Sequence, residues 1–183
     1  MQPIKKIVII GPESTGKSSL CELLAKHFHT QWVPEFAREY LLTHGKDYTY
    51  NDLLTIAKGQ LASEELTVDS WQLTGSRLPT PSSRLFIDTD MYVMKVWCEY
   101  VFGKCHQWII DQASSRKYDL YLLCNTDLPW VKDELREYPD LETREKLFHT
   151  YRDIMINQNT PWVEIKGDYD KRLRLAIEAV GSL

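Results

Sequence analysis

Residues 11–18 read Gly-Pro-Glu-Ser-Thr-Gly-Lys-Ser and fit G-x-x-x-x-G-K-S/T, between an apolar run that ends at Ile10 and a helical pattern that opens at Lys17. Such a loop turns its backbone N–H groups inward, the helix behind it adds positive potential, and Gly16 lets the backbone approach phosphate oxygens closely. Lys17 is placed to reach the β- and γ-phosphates, and Ser18 to offer its hydroxyl to a Mg²⁺ ion that also bridges phosphate oxygens. Gly11, Glu13, Ser14, Thr15, Gly16, Lys17, Ser18 and Ser19 are therefore the candidate ATP-binding loop. Kinases, GTPases and motor ATPases share this loop, so the reaction has to be read from other residues.

Two further clusters follow apolar runs. Pro34-Glu35-Phe36-Ala37-Arg38-Glu39 comes after a short run at 31–33, and Asp88-Thr89-Asp90 after Leu85-Phe86-Ile87. If both runs are parallel strands, their carboxyl ends meet in one cleft. Glu35, Glu39, Asp88 and Asp90 would then gather with Arg38 near the γ-phosphate, enough to bind a metal and to accept a hydroxyl proton. Each acid also has a plainer reading as a helix cap or first-turn residue, and Asp90 before MYVMKVW fits an N-cap well. A polar segment over about 126–145 carries Trp130, Arg136 and Arg144, the two arginines eight residues apart. One reading is a lid that brings positive charge over the phosphates, with Trp130 stacking on a substrate ring; the other is a solvated helix face with a packed tryptophan. Gly167 and Tyr169 stand where a strand-end turn would border the adenine, or merely connect a strand to a helix capped by Asp168 or Asp170.

The elements that must position these residues follow from periodicity. Short β-branched or apolar runs at about 4–10, 31–33, 85–87, 119–124 and 162–165 read as five buried strands. Helical spacing covers about 17–28, 35–43, 50–68, 91–102, 106–115, 141–157 and 170–180. This alternation indicates an α/β fold, a parallel sheet with helices on both faces. Residues 71–84, rich in Ser, Thr, Pro and Gly, read as a mobile connection. Met94, Trp97 and Val101 read as core.

Composition narrows the function classes. At 183 residues, with 43% hydrophobic and 26% charged residues, the chain is expected to form one domain over 1–183 without disulfides or a structural metal. Its 22 basic and 26 acidic residues give a net charge of −4, which argues against a non-specific nucleic-acid binder. The four cysteines are scattered without a C-x-x-C pair, and Cys105-His106 has no second ligand pair beside it. The apolar start, about seven residues, is too short for a signal peptide or membrane span, so a cytoplasmic protein without membrane partners is expected.

Taken together, GPESTGKS, PEFAREYL, FIDTDMYVMKVW, NTDLPWVKDELR with ETREKLF, and IKGDYDKRL resemble the ribosylnicotinamide kinase domain of the NadR family of P-loop kinases, over about residues 4–180. The resemblance implies a P-loop kinase fold with strand order 2-3-1-4-5 and a helical lid. It implies phosphoryl transfer from Mg²⁺-ATP to the 5′-hydroxyl of nicotinamide riboside, giving nicotinamide mononucleotide. It makes Glu35, Arg38, Asp88 and Asp90 the acceptor and catalytic region, with Trp130, Arg136 and Arg144 in the lid. Asp88 is the first choice for general base and, with Ser18, for the metal; Glu35 is the second choice for base, since distantly similar deoxynucleoside kinases place a glutamate after strand two. Multifunctional members carry a nucleotidyltransferase domain ahead of the kinase, whereas here the first strand opens near residue 4, so adenylation is expected to fall to a separate enzyme. The 71–84 connection is longer than the resemblance leads one to expect and could rim the acceptor cleft and alter which nucleoside is accepted. The rival readings are a kinase of another nucleoside, and a P-loop ATPase or nucleotide-gated interaction module with no small acceptor.

Overall fold

The computed structural model describes residues 4–73 and 83–183. In chain order the elements are β1 (Lys5–Ile10), α1 (Lys17–His27), β2 (Trp32–Val33), α2 (Phe36–His44), α3 (Tyr50–Leu73), β3 (Arg84–Asp88), α4 (Met91–Phe102), α5 (Gln107–Ser115), β4 (Leu120–Cys124), α6 (Leu141–Asn157), β5 (Trp162–Ile165) and α7 (Tyr169–Gly181). The five strands form one sheet in the order β2-β3-β1-β4-β5, with every neighbouring pair parallel.

Strands without polar alternation must bury both faces, and these do. Ile7, Ile9, Phe86, Leu120 and Leu122 form a core with Leu20, Cys21 and Leu24 of α1 and Ala176 and Val180 of α7. The intervening residues Val8, Ile10, Leu85, Ile87 and Leu123 point the other way, against Val93 and Val96 of α4 and Leu147, Phe148 and Tyr151 of α6. A third cluster joins Ala37, Leu53, Ile56, Met94 and Ile109, fastening α2, α3, α4 and α5 together beside the sheet.

Register then places the chemistry. Val33 lies beside Ile87, and Asp88 beside Ile9, so the residues that follow β2, β3 and β1 leave the sheet at one level.

Three expectations need amendment. Helix α3 runs to Leu73 instead of stopping near 68, because no Gly or Pro interrupts it between Gly59 and Gly75. The expected 71–84 connection thus begins in helix and ends in β3, and its centre, 74–82, lies outside the described residues. The lid segment is irregular from Asn125 to Asp140 and becomes helical only at Leu141, where the Asp140 carboxylate caps α6 by accepting the Thr143 N–H.

Candidate functional site

The phosphate loop is shaped by two glycines that nothing else replaces. A Cβ on Gly11 would stand 2.7 Å from the Cys124 carbonyl, and Gly16, at φ 78°, occupies the left-handed region as the first cap of α1. No side chain caps α1, which leaves its first amides open to an anion. Thr15, fully buried, donates to the Pro12 carbonyl at 2.7 Å, and Lys17 Nζ donates to the same oxygen at 2.9 Å. The Lys17 ammonium is therefore held over the loop's mouth by a neutral acceptor that a phosphate oxygen can replace.

Beside this loop opens a cavity of about 310 Å³. Residues 11–19 form one wall, Glu35, Arg38 and Asp88 line it at the strand ends, and Trp97, Tyr100 and Tyr138 supply an aromatic side. Asp88 is completely buried, and neither carboxylate oxygen has a hydrogen-bond partner among the described residues. Burial pushes its pKa up to about 7, helped by the charge of Glu35 and opposed by Lys17 and Ser18. Glu35 accepts a hydrogen bond from the Thr89 hydroxyl at 3.2 Å. Thr89 itself sits at φ 77°, a rare conformation for a β-branched residue, between the two aspartates.

The lid segment closes over this cavity through backbone contacts. Glu13 accepts the N–H groups of Glu137 and Tyr138 at 2.9 and 2.6 Å and the Trp130 indole N–H at 3.4 Å; the Ser14 hydroxyl accepts the Val131 N–H at 3.0 Å. On the opposite wall Arg38 makes a two-pronged contact with Asp133, both distances 3.2 Å. Trp97 Nε1 donates to the Tyr48 hydroxyl at 2.9 Å, which donates to Glu137 at 3.1 Å.

A family model described as an AAA domain matches residues 6–172. The chain belongs to this AAA-domain family. The AAA-domain chain is also 28% identical over 182 residues to the trifunctional NAD biosynthesis/regulator protein NadR of Salmonella typhimurium, and equally to that of Escherichia coli. These alignments take in 97% of this chain and 42% of each relative, so the chain spans less than half their length. Among solved structures, NadR in complex with NR shares the fold with a TM-score of 0.76 at 22% identity, covering 98% of this chain and 51% of that one. Thymidylate kinase from Ehrlichia chaffeensis does so with a TM-score of 0.67 at 13% identity, covering 99% of both chains. The fold is that of P-loop kinases, and the chain is NadR-like within it.

Several expected site residues of the AAA-domain chain take other duties. Asp90 is 2% exposed and caps α4, accepting from the Tyr92 and Val93 amides at 3.0 and 3.2 Å and from the Tyr121 hydroxyl at 2.8 Å, so it does not reach the cavity. Arg144, also buried, turns inward to the Thr126 and Leu128 carbonyls at 3.3 and 3.2 Å; it anchors the root of the lid and does not line the cavity, whereas Arg136 does. Trp130 donates its indole N–H to Glu13 at 3.4 Å and is not among the residues that line the cavity. Gly167 donates its N–H to Asp127, and Tyr169 lies against Gly16 in a small recess behind the loop, where it can border a nucleotide base only from outside the main cavity. Trp97, expected as core, lines the cavity, and Val101 is exposed.

Four participants carry no role legible in sequence. Arg172 and Asp133 stand inside IKGDYDKRL and NTDLPWVKDELR without a part of their own, and Gln60 and Tyr138 look like ordinary helix or loop residues. Arg172 is 3% exposed and donates to the carbonyls of Thr15, Asn125 and Gly167, each at 2.8 Å, and to the Asp127 carboxylate.

Among the described residues no three His, Cys, Asp or Glu side chains gather to hold a metal by themselves. A Mg²⁺ ion with one buried, unpartnered carboxylate and the Ser18 hydroxyl beside a phosphate loop would take its other ligands from phosphates and water, which is how Mg²⁺ is usually held in phosphoryl-transfer sites. The donor set fits that ion. No described helix is long and apolar enough to cross a membrane.

Proposed function

We propose that the chain is a nucleoside kinase that moves the γ-phosphoryl group of ATP to the 5′-hydroxyl of nicotinamide riboside, giving nicotinamide mononucleotide and ADP. The observation that carries it is Asp88: a buried carboxylate with both oxygens unpartnered, facing a cavity shared by a phosphate loop and an aromatic wall. A switch protein also places an aspartate beside its phosphate loop to hold Mg²⁺, so what favours a hydroxyl acceptor is that Asp88 shares its cavity with Glu35, Arg38 and the aromatic wall. The likeness to NadR, solved with NR, and to nucleotide kinases supports the choice of acceptor.

In this reading residues 11–18 bind the ATP phosphates, and Lys17 exchanges the Pro12 carbonyl for a phosphate oxygen. Ser18 and Asp88 would hold Mg²⁺, which when bound neutralises phosphate charge. Asp88 orients the acceptor hydroxyl and takes its proton, and Glu35 keeps that carboxyl basic. Trp97 and Tyr138 flank the nucleoside base. Arg136 brings positive charge to the transferring group, and the irregular lid excludes water that would hydrolyse ATP. The site reads as that of a soluble, cytoplasmic enzyme with small-molecule partners and no role for nucleic acid, and residues 1–183 as a single kinase domain.

Pure protein with ATP and Mg²⁺, challenged with nicotinamide riboside and a panel of other ribosides and deoxyribosides, tests this by ADP release. Release that depends on nicotinamide riboside, and is abolished in Lys17→Ala, is the expected result. Release confined to another nucleoside would change the acceptor, and release at the same rate without any acceptor would replace the kinase with an ATPase.

A further inference from the structure

Gln60 belongs to neither the phosphate loop nor the strand ends, yet it holds both turns that carry the candidate carboxylates. It lies within α3 and is 1% exposed. Its Oε1 accepts the Phe36 N–H at 2.7 Å, while Nε2 donates to the Asp88 carbonyl at 3.2 Å and, at 3.4 Å, to the Pro34 carbonyl. Both chain neighbours of Glu35 and the backbone of Asp88 thus converge on one amide, whose acceptor and two donor protons are all engaged. A leucine or methionine of similar size fills the space and makes none of these bonds; a lysine or arginine supplies no acceptor.

Gly59 gives a second observation. The Phe36 ring occupies the space a Cβ would need, its Cε1 only 2.2 Å from that position. Phe36 directly follows Glu35, so anything larger than hydrogen at 59 pushes the ring, and the turn with it, away from β3. The Thr89 hydroxyl completes the set from the other side, reaching Glu35 at 3.2 Å from its strained backbone. Two carboxylates of like charge do not stay close unless the surrounding chain fixes them.

We propose that Gln60, seated through Gly59, is a positioning residue that fixes the separation of Glu35 and Asp88 across the mouths of β2 and β3. This rests on the phosphoryl-transfer reading, in which that pair handles the acceptor hydroxyl. Gln60 touches no reacting atom. Its loss therefore acts on the chemical step and leaves the phosphate loop, built on β1 and α1, as it was.

The test compares wild type with Gln60→Met, which keeps volume and removes all three bonds, and with Gly59→Ala. Steady-state kinetics with ATP and the accepted nucleoside, and amide hydrogen exchange over residues 34–41, are measured together. A displacement of about 1 Å at a reacting group costs about 10²-fold in rate. The expected result is therefore a kcat lower by roughly 10²-fold with KM for ATP within about two-fold, and faster exchange at the Phe36 amide in both variants. Wild-type kcat in Gln60→Met overturns the proposal, as does a loss of kcat with unchanged exchange at Phe36. If Gln60→Met does not melt cooperatively, Gln60→Glu decides: it keeps the acceptor for Phe36 but turns a carboxylate toward two carbonyls, so wild-type kcat there overturns the proposal equally. If wild type transfers phosphate to no nucleoside, the kinase reading fails by itself, and the exchange at Phe36 still decides whether Gln60 sets the turn.

Discussion

In the proposed reaction Asp88 concentrates the chemistry of the site in one side chain. A buried carboxyl without a close hydrogen-bond donor is costly in its ionised form, Glu35 adds to the cost, and the Lys17 charge and nearby Ser18 hydroxyl offset only part of it, so the group gives up its proton only around pH 7. Without Mg²⁺ that is the range in which a general base is most effective, and a bound Mg²⁺ would draw it down again. Asp88→Asn is expected to lower kcat by at least about 10²-fold, while binding of an ATP analogue survives; wild-type turnover in this variant would remove Asp88 from the mechanism. The same shift has a stability consequence of definite sign. The folded chain keeps this proton up to about pH 7, and an ordinary aspartate loses it near 3.8. Between these values the native state binds more protons than the unfolded one, so stability falls as pH rises through the window. In Mg²⁺-free buffer Asp88→Asn is therefore expected to melt above wild type, by a margin that grows from about pH 4 to about pH 7 and then levels. Thermal midpoints at several pH values check this, and a margin independent of pH contradicts it.

At the scale of elements, the lid is held more by the phosphate loop than by its own structure. From Asn125 to Asp140 there is no helix: Arg144 and Arg172 hold the root of the segment at 125–128, and Glu13, Ser14 and Arg38 hold its outer part at 130–138. Hydrogen bonds to a charged acceptor contribute about 1.5–3 kcal/mol, and tenfold in an equilibrium corresponds to about 1.4 kcal/mol. Glu13→Ala is thus expected to speed amide exchange at Glu137 and Tyr138 by about tenfold or more, with exchange in β1 and β4 unchanged. Unaltered exchange at those two amides would show that the lid closes without the loop. This division also explains what could be read in the sequence. The five strands were legible because both-face burial writes itself as β-branched runs, and the loop because its glycines have few substitutes. The lid's fold was not, since charged residues at helical spacing describe a solvated helix as well as a strap docked by its backbone. Asp90 and Arg144 had residue types suited to catalysis; Asp90 takes instead the N-cap place that its position before MYVMKVW also suggested, and Arg144 holds lid carbonyls, because local orphan groups claim both. Gln60 was invisible: a polar residue in a helix pattern normally faces water, and nothing local says that two distant turns converge on it.

Across the whole molecule the donor site depends on a long-range tie. β1, β4 and β5 end at three separate loops, and Arg172 of α7 joins them by donating to Thr15 in the phosphate loop, Asn125 after β4 and Gly167 after β5. The Asp127 carboxylate, itself accepting the Gly167 N–H at 2.6 Å, balances the charge. Removing the guanidinium leaves the buried Thr15 carbonyl and two part-buried carbonyls without this donor and a half-exposed carboxylate without its cation, a loss of about 3 kcal/mol. For a chain of this size that lowers the melting midpoint by roughly 6–12 °C. Arg172→Ala is therefore expected to lose that much stability and, because Thr15 stands between Ser14 and Gly16, to weaken ATP binding in parallel. Arg172→Lys offers a single ammonium on a flexible stem where a planar fork spans three carbonyls, and is expected to recover little of either. Melting curves and ATP-analogue titrations on the same preparations decide it. If Arg172→Ala lowers the midpoint while ATP affinity stays at the wild-type value, the tie serves the fold alone and the phosphate loop keeps its shape through β1 and α1.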